Sequence, residues 1–90
     1  MTRDLAIVVP MTVAFADIEA TVRETAGPTL ESFRLVDVYR GTPVAKDHQS
    51  LALRLVFRDP KRSLTAEDAA AHVDRVVAAL SSQFQAQLRS

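Results

Sequence analysis

Between Ser50 and Arg58 of this 90-residue chain, every second residue is a large apolar one, and this pattern constrains the fold of the whole chain. Side chains alternate across a β-strand, so the alternation from Ser50 to Arg58 predicts a strand with one face in a core and the other face open. The predicted core-facing residues are Leu51, Leu53, Leu55 and Phe57. The predicted open-face residues are Ser50, Ala52, Arg54, Val56 and Arg58.

The first half of the chain predicts two strands and one helix. Asp4 to Val9 is an apolar run typical of a short strand, and Pro10 ends it because proline cannot donate a ladder hydrogen bond. Apolar residues at helical spacing from Phe15 to Ala26 predict an amphipathic helix that stops at Gly27-Pro28. Leu30 to Tyr39 predicts a second strand. The expected helix-facing residues of this strand are Arg34, Val36 and Val38, and the expected open-face residues are Leu35, Asp37 and Tyr39.

The second half predicts a long helix and a short last strand. A turn is expected over Asp59-Pro60-Lys61-Arg62, and Thr65-x-x-Asp68 resembles a capping box at the start of the helix. Residues 86–89 predict a fourth strand. The expected core stripe of the helix is Ala69, Val73, Val76, Val77, Leu80 and Phe84.

The element order is β-α-β-β-α-β, with strands two and three as a hairpin. Both crossovers place their helices on the same side of the sheet. We therefore predict a ferredoxin-like α+β sandwich, in which an antiparallel four-stranded sheet carries two helices on one face. A chain of this length predicts a single domain over residues 1–90.

Composition excludes several classes of function. Without cysteine there is no disulfide framework and no thiolate metal site, and the two histidines lie on different predicted elements. The apolar run Leu5–Met11 is far too short to span a bilayer, so no membrane partner and a cytoplasmic location are expected. Residues 32–62 carry seven basic and three acidic side chains, whereas the remaining residues carry four and eight. This asymmetry predicts a positive face.

Asp37 and Tyr39 are the strongest candidates for function. A carboxylate and an aromatic ring on one open strand face suit an unstacked nucleobase, which stacks on the ring and donates hydrogen bonds to the carboxylate. Small Ala6 and Ala52, with Ser50 beside them, predict a shallow depression where a base lies flat. The candidate phosphate anchors are Arg40, Arg54 and Arg58.

Ordinary structural roles stay open for the same residues. In the alternative interpretation, Tyr39 packs across the sheet and Asp37 pairs with an arginine. Arg54 and Arg58 equally fit a role in solubilising an exposed sheet.

Five segments, in their order and spacing, resemble the C-terminal anticodon-binding domain of the bacterial phenylalanyl-tRNA synthetase beta subunit. The resemblance covers essentially the whole chain, which would then be a fragment of a larger subunit. The segments are Arg3-Asp4-Leu5-Ala6-Ile7-Val8-Val9, Leu35-Val36-Asp37-Val38-Tyr39-Arg40-Gly41, Ser50-Leu51-Ala52, Arg58-x-x-x-Arg62-Ser63-Leu64-Thr65 and Ala86-Gln87-Leu88-Arg89.

The resemblance implies a ferredoxin-like module similar in architecture to an RNA recognition motif, and it implies specific roles. Tyr39 matches the tyrosine that stacks on the wobble guanine of phenylalanine tRNA. Asp37 matches the aspartate that hydrogen-bonds this guanine, and Ser50 matches a serine that also contacts it. It also implies that the domain is not an enzyme on its own and holds no cofactor. ATP and magnesium would bind to the partner alpha subunit, and the partners would be the tRNA(Phe) anticodon stem-loop, the rest of the beta subunit and the alpha subunit. The chain departs from the family at His48-Gln49, where two lysines are common, and at Val36, where phenylalanine is usual.

Two rival interpretations share the fold. An acylphosphatase uses an arginine in the loop after strand one and an asparagine on a later strand, but residues 10–14 lack arginine and the chain has no asparagine. A ferredoxin-like interaction or regulatory domain that self-associates through its sheet is the remaining alternative, and the apolar open-face residues Ala6, Val8, Ala52 and Val56 are compatible with it.

Overall fold

The computed structural model describes residues 1–59 and 61–89. The four strands form one antiparallel sheet in the order β2-β3-β1-β4, and both helices contribute to a core on one face of it. The predicted ferredoxin-like α+β fold is therefore confirmed. The elements are β1 (Thr2–Pro10), α1 (Phe15–Ala26), β2 (Leu30–Tyr39), β3 (His48–Phe57), α2 (Ala66–Phe84) and β4 (Gln87–Leu88), with a short 3-10 helix at Gly27–Thr29.

Most predicted boundaries agree with the structure within two residues. β3 begins at His48 and ends at Phe57, so Arg58 lies just beyond the strand instead of within it. The fourth strand forms, although it is only two residues long, and it pairs with β1. Pro60, in the middle of the predicted turn, lies outside the described residues.

The core consists of the apolar faces that the alternation and the helical periodicity predict. Four residues of β3 are at most 3% exposed, namely Leu51, Leu53, Leu55 and Phe57. The facing residues of the other elements are also buried: Leu5, Ile7 and Val9 from β1, Ile18, Val22 and Ala26 from α1, and Ala69, Val76 and Leu80 from α2. Val73 and Phe84 pack against this core at partial exposure. Because one sheet face is fully used in this way, the opposite face remains open.

α2 starts with the predicted capping box. The Thr65 hydroxyl accepts a hydrogen bond from the Asp68 backbone N–H, and the Asp68 carboxylate accepts one from the Thr65 backbone N–H, both at 3.1 Å. The bond from the Thr65 backbone, helped by the guanidinium of Arg62, lowers the pKa of Asp68. The reciprocal pair satisfies two backbone donors that a helix start otherwise leaves free.

β2 contradicts part of the predicted face assignment. Two β-bulges interrupt its pairing with β3, one between Leu30 and Ser32 and one between Leu35 and Asp37. Each bulge adds a residue that has no partner and reverses the alternation of side chains. Asp37 and Tyr39 therefore lie on the open face as predicted, but the residues before the second bulge do not follow the same pattern.

Arg34, Leu35 and Val36 were assigned wrongly by alternation. Arg34 opposes Arg54 on the open face, whereas Leu35 opposes the core-facing Leu53. Val36 is the extra residue of the second bulge and is 47% exposed, so it does not face the helices. The reason is the second bulge, because its one-residue shift moves the side chains between the two bulges, residues 32–35, to the other face.

His72 joins α2 to the end of β3 and to the 3-10 helix. Its ring stacks on Phe57 with the centroids 5.3 Å apart, and Nε2 lies 3.3 Å from the Thr29 hydroxyl. The Thr29 hydroxyl donates to the Ala26 carbonyl, so it accepts from Nε2–H, and Nδ1 accepts from the Arg75 guanidinium. Burial, followed by the charge of Arg75, lowers the pKa of His72 below its ordinary value of 6.5. Burial and the Arg75 contact on Nδ1 therefore favour the neutral form of His72 in the folded domain.

We expect the free energy of unfolding to rise as the pH is raised through 6.5, the ordinary pKa of histidine. The unfolded chain protonates His72 with a pKa near 6.5, whereas the folded chain takes up the proton only at lower pH. The stabilisation is therefore complete above the unfolded pKa and is lost as the pH falls below it. Urea unfolding at several pH values measures this slope. The slope should disappear in His72→Gln and persist in the control His48→Gln; equal slopes in both variants would contradict the assignment.

Candidate nucleic-acid interface

The open face of the sheet is built from rows of cross-strand neighbours. Side chains that oppose each other in antiparallel strands share a face, so the strand register defines each row. Successive rows are about 7 Å apart, because two residues separate them along β3. We call them the tyrosine row, the aspartate row and the arginine row. From β2 to β1 they contain Tyr39–Ser50–Val8, Asp37–Ala52–Ala6 and Arg34–Arg54–Asp4.

A cavity of about 410 Å³ lies over the tyrosine and aspartate rows. Its size follows from the small residues at its base, since the side chains of Ala6 and Ala52 end at Cβ and leave the space above them empty. The structure brings together four of the seven predicted site residues here. The lining residues are Ala6, Asp37, Tyr39, Ser50, Ala52 and Arg89.

Tyr39 is held in place at the edge of this cavity. The residue is 45% exposed, and its hydroxyl donates a 2.6 Å hydrogen bond to the Thr42 carbonyl in the loop after β2. The guanidinium of Arg89 lies over the ring, 5.6 Å from its centroid, at a distance typical of a cation–π contact. The ring is therefore fixed and still accessible, as a stacking platform requires.

The Asp37 carboxylate is only partly used within the domain. Oδ1 accepts a 2.9 Å hydrogen bond from the backbone N–H of Val38, which fixes the carboxylate beside the cavity. Among residues 1–59 and 61–89, no arginine or lysine forms an ion pair with Asp37. The alternative of an arginine-paired Asp37 is thus not observed there, and the carboxylate retains capacity to accept hydrogen bonds from a ligand.

Arg89 is a cavity residue that the sequence did not single out. Its backbone N–H donates to the Ala6 carbonyl at 2.7 Å, which continues the pairing of β4 with β1 by one residue. Gln87 opposes Val8 on the open face, so Arg89, two residues later, lies on the same face. The predicted fourth strand was the available signal, but a two-residue strand gives no alternation from which to assign faces.

Three predicted anchors lie outside the cavity. Arg40 follows β2, and its Nε donates to the Gln49 side chain at 3.2 Å. Arg54 lies in the arginine row, where Nε and Nη2 donate to the two carboxylate oxygens of Asp4 at 2.8 and 3.1 Å. This hydrogen bonding lowers the pKa of Asp4 and raises that of Arg54.

Arg58 is remote from the other predicted site residues. It is eight residues from Ser50, about 26 Å along an extended strand, and its guanidinium lies 3.6 Å from the Glu31 carboxylate. Its position fits the solubilising role better than contact with a ligand in the cavity.

Comparison with known proteins identifies the family. The family described as the ferredoxin-fold anticodon binding domain matches residues 1–89. The chain belongs to this family. The resemblance inferred from the five sequence segments is therefore confirmed at the level of the domain.

Relatives of this anticodon-binding domain are phenylalanine–tRNA ligase beta subunits. The protein from Synechococcus sp. strain JA-3-3Ab is 44% identical to this chain over 88 residues. The protein from Pasteurella multocida is 45% identical over 87 residues, and the protein from Streptomyces avermitilis is 46% identical over 89 residues. The alignments cover 98%, 97% and 99% of this chain but only 11% of each relative. The chain therefore corresponds to about a ninth of a beta subunit.

The described part of the anticodon-binding domain contains neither a membrane-spanning helix nor a cluster of metal ligands. No helix there is long and apolar enough to cross a membrane. No group of three or more histidine, aspartate or glutamate side chains within residues 1–59 and 61–89 is arranged to hold a metal ion.

Proposed function

We propose that this domain binds the anticodon loop of phenylalanine tRNA on its open sheet face, with the wobble guanine in the cavity. The observation that carries the proposal is the cavity over the tyrosine and aspartate rows, where a ring, a carboxylate and a hydroxyl converge above two alanines. Membership of an anticodon-binding family and similarity to phenylalanine–tRNA ligase beta subunits support tRNA(Phe) as the ligand.

Each cavity residue has a distinct task in this proposal. Tyr39 stacks on the base, and the Asp37 carboxylate accepts from the N1–H and N2–H₂ donors of guanine, a pair that adenine does not offer on that edge. The Ser50 hydroxyl adds a hydrogen bond, and Ala52 leaves room for the flat base. Arg89 supplies positive charge at the rim, where the phosphates of the RNA approach.

Within a whole synthetase the domain has no chemistry of its own. It holds the anticodon while ATP, magnesium and phenylalanine bind to the alpha subunit, so this domain itself needs no cofactor. Its partners are the anticodon stem-loop, the rest of the beta subunit and the alpha subunit, in the cytoplasm. Arg40, the residue after Tyr39, is the predicted phosphate anchor closest to the bound base along the chain.

The decisive experiment is an NMR titration of the isotope-labelled domain with two anticodon stem-loops, one with the wobble guanine and one with adenine in its place. We expect shifts at Asp37, Tyr39, Ser50 and Ala52 with the guanine loop, and about tenfold weaker binding of the adenine loop, which corresponds to about 1.4 kcal/mol. Absence of shifts with both loops, together with dimerisation in solution, would instead support self-association through the sheet.

Asp37→Asn tests the edge contact. The amide has nearly the shape of the carboxylate but replaces one acceptor oxygen with a donor, which faces the guanine donors unfavourably. The ratio of affinities for the guanine and adenine loops should therefore fall towards one. The matched control is Asp74→Asn, which removes one exposed carboxylate from α2 on the helix side. An unchanged ratio in Asp37→Asn would exclude Asp37 as the group that selects guanine.

A further inference from the structure

We infer that the open face carries a second RNA subsite, a phosphate-binding site formed by Arg34 and Arg54 in the arginine row. The inference rests on the proposed function and extends it from the base to the path of the RNA backbone. It assigns a role to Arg34. Simple alternation predicts that this side chain faces the helices, but the second bulge of β2 brings it to the open face.

The two arginines are direct cross-strand neighbours. Arg34 on β2 opposes Arg54 on β3, and such pairs have Cβ atoms about 5 Å apart on the same face. Both residues are accessible from the open face, Arg34 being exposed and the Arg54 side chain 41% exposed. Two like charges in this position repel each other unless an anion lies between them. A phosphate oxygen pair can accept hydrogen bonds from both guanidinium groups at once.

Asp4 neutralises only one side of this pair. It approaches Arg54 from β1 and accepts from it through both oxygens, which leaves the row with two cations and one anion. Within the part of the chain that the structure describes, Arg34 has no ion-pair partner. An RNA phosphate would therefore bind Arg34 first and compete with the Asp4 carboxylate for Arg54.

The subsite lies where the RNA backbone can reach it from the cavity. The arginine row is about 7 Å from the aspartate row and about 13 Å from the tyrosine row along β3. On its far side the next row contains only the uncharged residues Ser32, Val56 and Thr2, so the basic stretch ends there. A loop with its wobble base over Tyr39 can thus place a neighbouring phosphate over Arg34 and Arg54.

Charge variants test the site through affinity and its salt dependence. For the guanine stem-loop, Arg34→Gln should weaken binding several-fold at low salt and reduce the slope of log affinity against log salt by about one. Asp4→Asn should strengthen binding, because it removes the carboxylate that competes for Arg54. The control Arg23→Gln removes an equal charge from α1, on the opposite side of the domain, and should leave the affinity nearly unchanged.

A methylphosphonate scan locates the contact. Each stem-loop in the scan has one backbone phosphate replaced by an uncharged methylphosphonate. The affinities of these loops and of the unmodified loop for wild type and for Arg34→Gln form a double-mutant cycle at each position. One methylphosphonate should weaken binding to wild type but not to Arg34→Gln.

Additive losses at every position, or weaker binding by Asp4→Asn, would overturn the subsite. The proposed function would remain intact if the domain still preferred the guanine loop. Coupling without a guanine preference would overturn base selection instead, and failure of every loop to bind would overturn both.

Discussion

Replacing Tyr39 with alanine is expected to weaken binding of the tRNA(Phe) anticodon loop by about 5- to 150-fold while leaving the domain folded. The range follows from base–aromatic stacking, which contributes about 1–3 kcal/mol per base. Tyr39 is 45% exposed, and the contacts of its side chain with the Thr42 carbonyl and the Arg89 guanidinium are at the surface. Its removal therefore leaves no cavity in the core.

Tyr39→Phe distinguishes the contribution of the ring to RNA binding from that of its hydroxyl. Phenylalanine keeps the stacking surface but loses the bond to the Thr42 carbonyl, so it should bind more tightly than the alanine variant and less tightly than wild type. Circular dichroism and urea unfolding check that both variants are folded. Unfolding of Tyr39→Ala would show that the ring belongs to the core, and wild-type affinity in that variant would exclude stacking on Tyr39.

The regular parts of the fold were predictable because their signals are local. The alternation in β3 extends over four core residues, and the capping box at Thr65 lies within four positions of the chain. Asp37 and Tyr39 were placed on the correct face because the second bulge of β2 precedes both of them. The cavity then follows from the register, which sets Ala52 and Ser50 opposite these two residues.

The remaining features depend on contacts distant in sequence. Nothing in Leu35-Val36-Asp37 marks a bulge, because the choice is made by pairing with β3 and by burial of Phe33. The pair between Asp4 and Arg54 joins residues fifty positions apart. Arg89 reaches the cavity only through pairing of a very short strand with β1. Such contacts are set by the register between strands, which local patterns do not specify.

The ion pairs also change what the basic composition of residues 32–62 implies for RNA binding. Of the seven basic side chains in residues 32–62, three form ion pairs with acidic groups of the described residues, namely Arg54, Arg58 and Arg62. Part of the expected positive charge is therefore compensated within the domain. Electrostatic attraction to RNA should be correspondingly modest, and base contacts in the cavity should provide most of the selectivity.

Phe33→Ala is expected to lower the free energy of unfolding by about 3–5 kcal/mol, the usual cost of deleting a buried phenylalanine side chain. Phe33 is 6% exposed and stacks on Phe15 with the ring centroids 5.7 Å apart. An uninterrupted alternation through β2 would instead place it on the open face, where the same substitution costs little. Because a small domain has about 5–15 kcal/mol of stability, the variant should unfold at much lower urea concentration.

The neighbouring substitution Arg34→Ala is the matched control. It removes a long side chain from the adjacent position, but on the open face, so the free energy of unfolding should change by no more than about 0.5 kcal/mol. A large loss for Phe33→Ala beside a small one for Arg34→Ala would support the bulge between Leu35 and Asp37, which sets the faces of both residues. Equal losses, or the reverse order, would mean that β2 pairs with β3 without that bulge. The arginine row would then lose Arg34, and the second RNA subsite would have no basis.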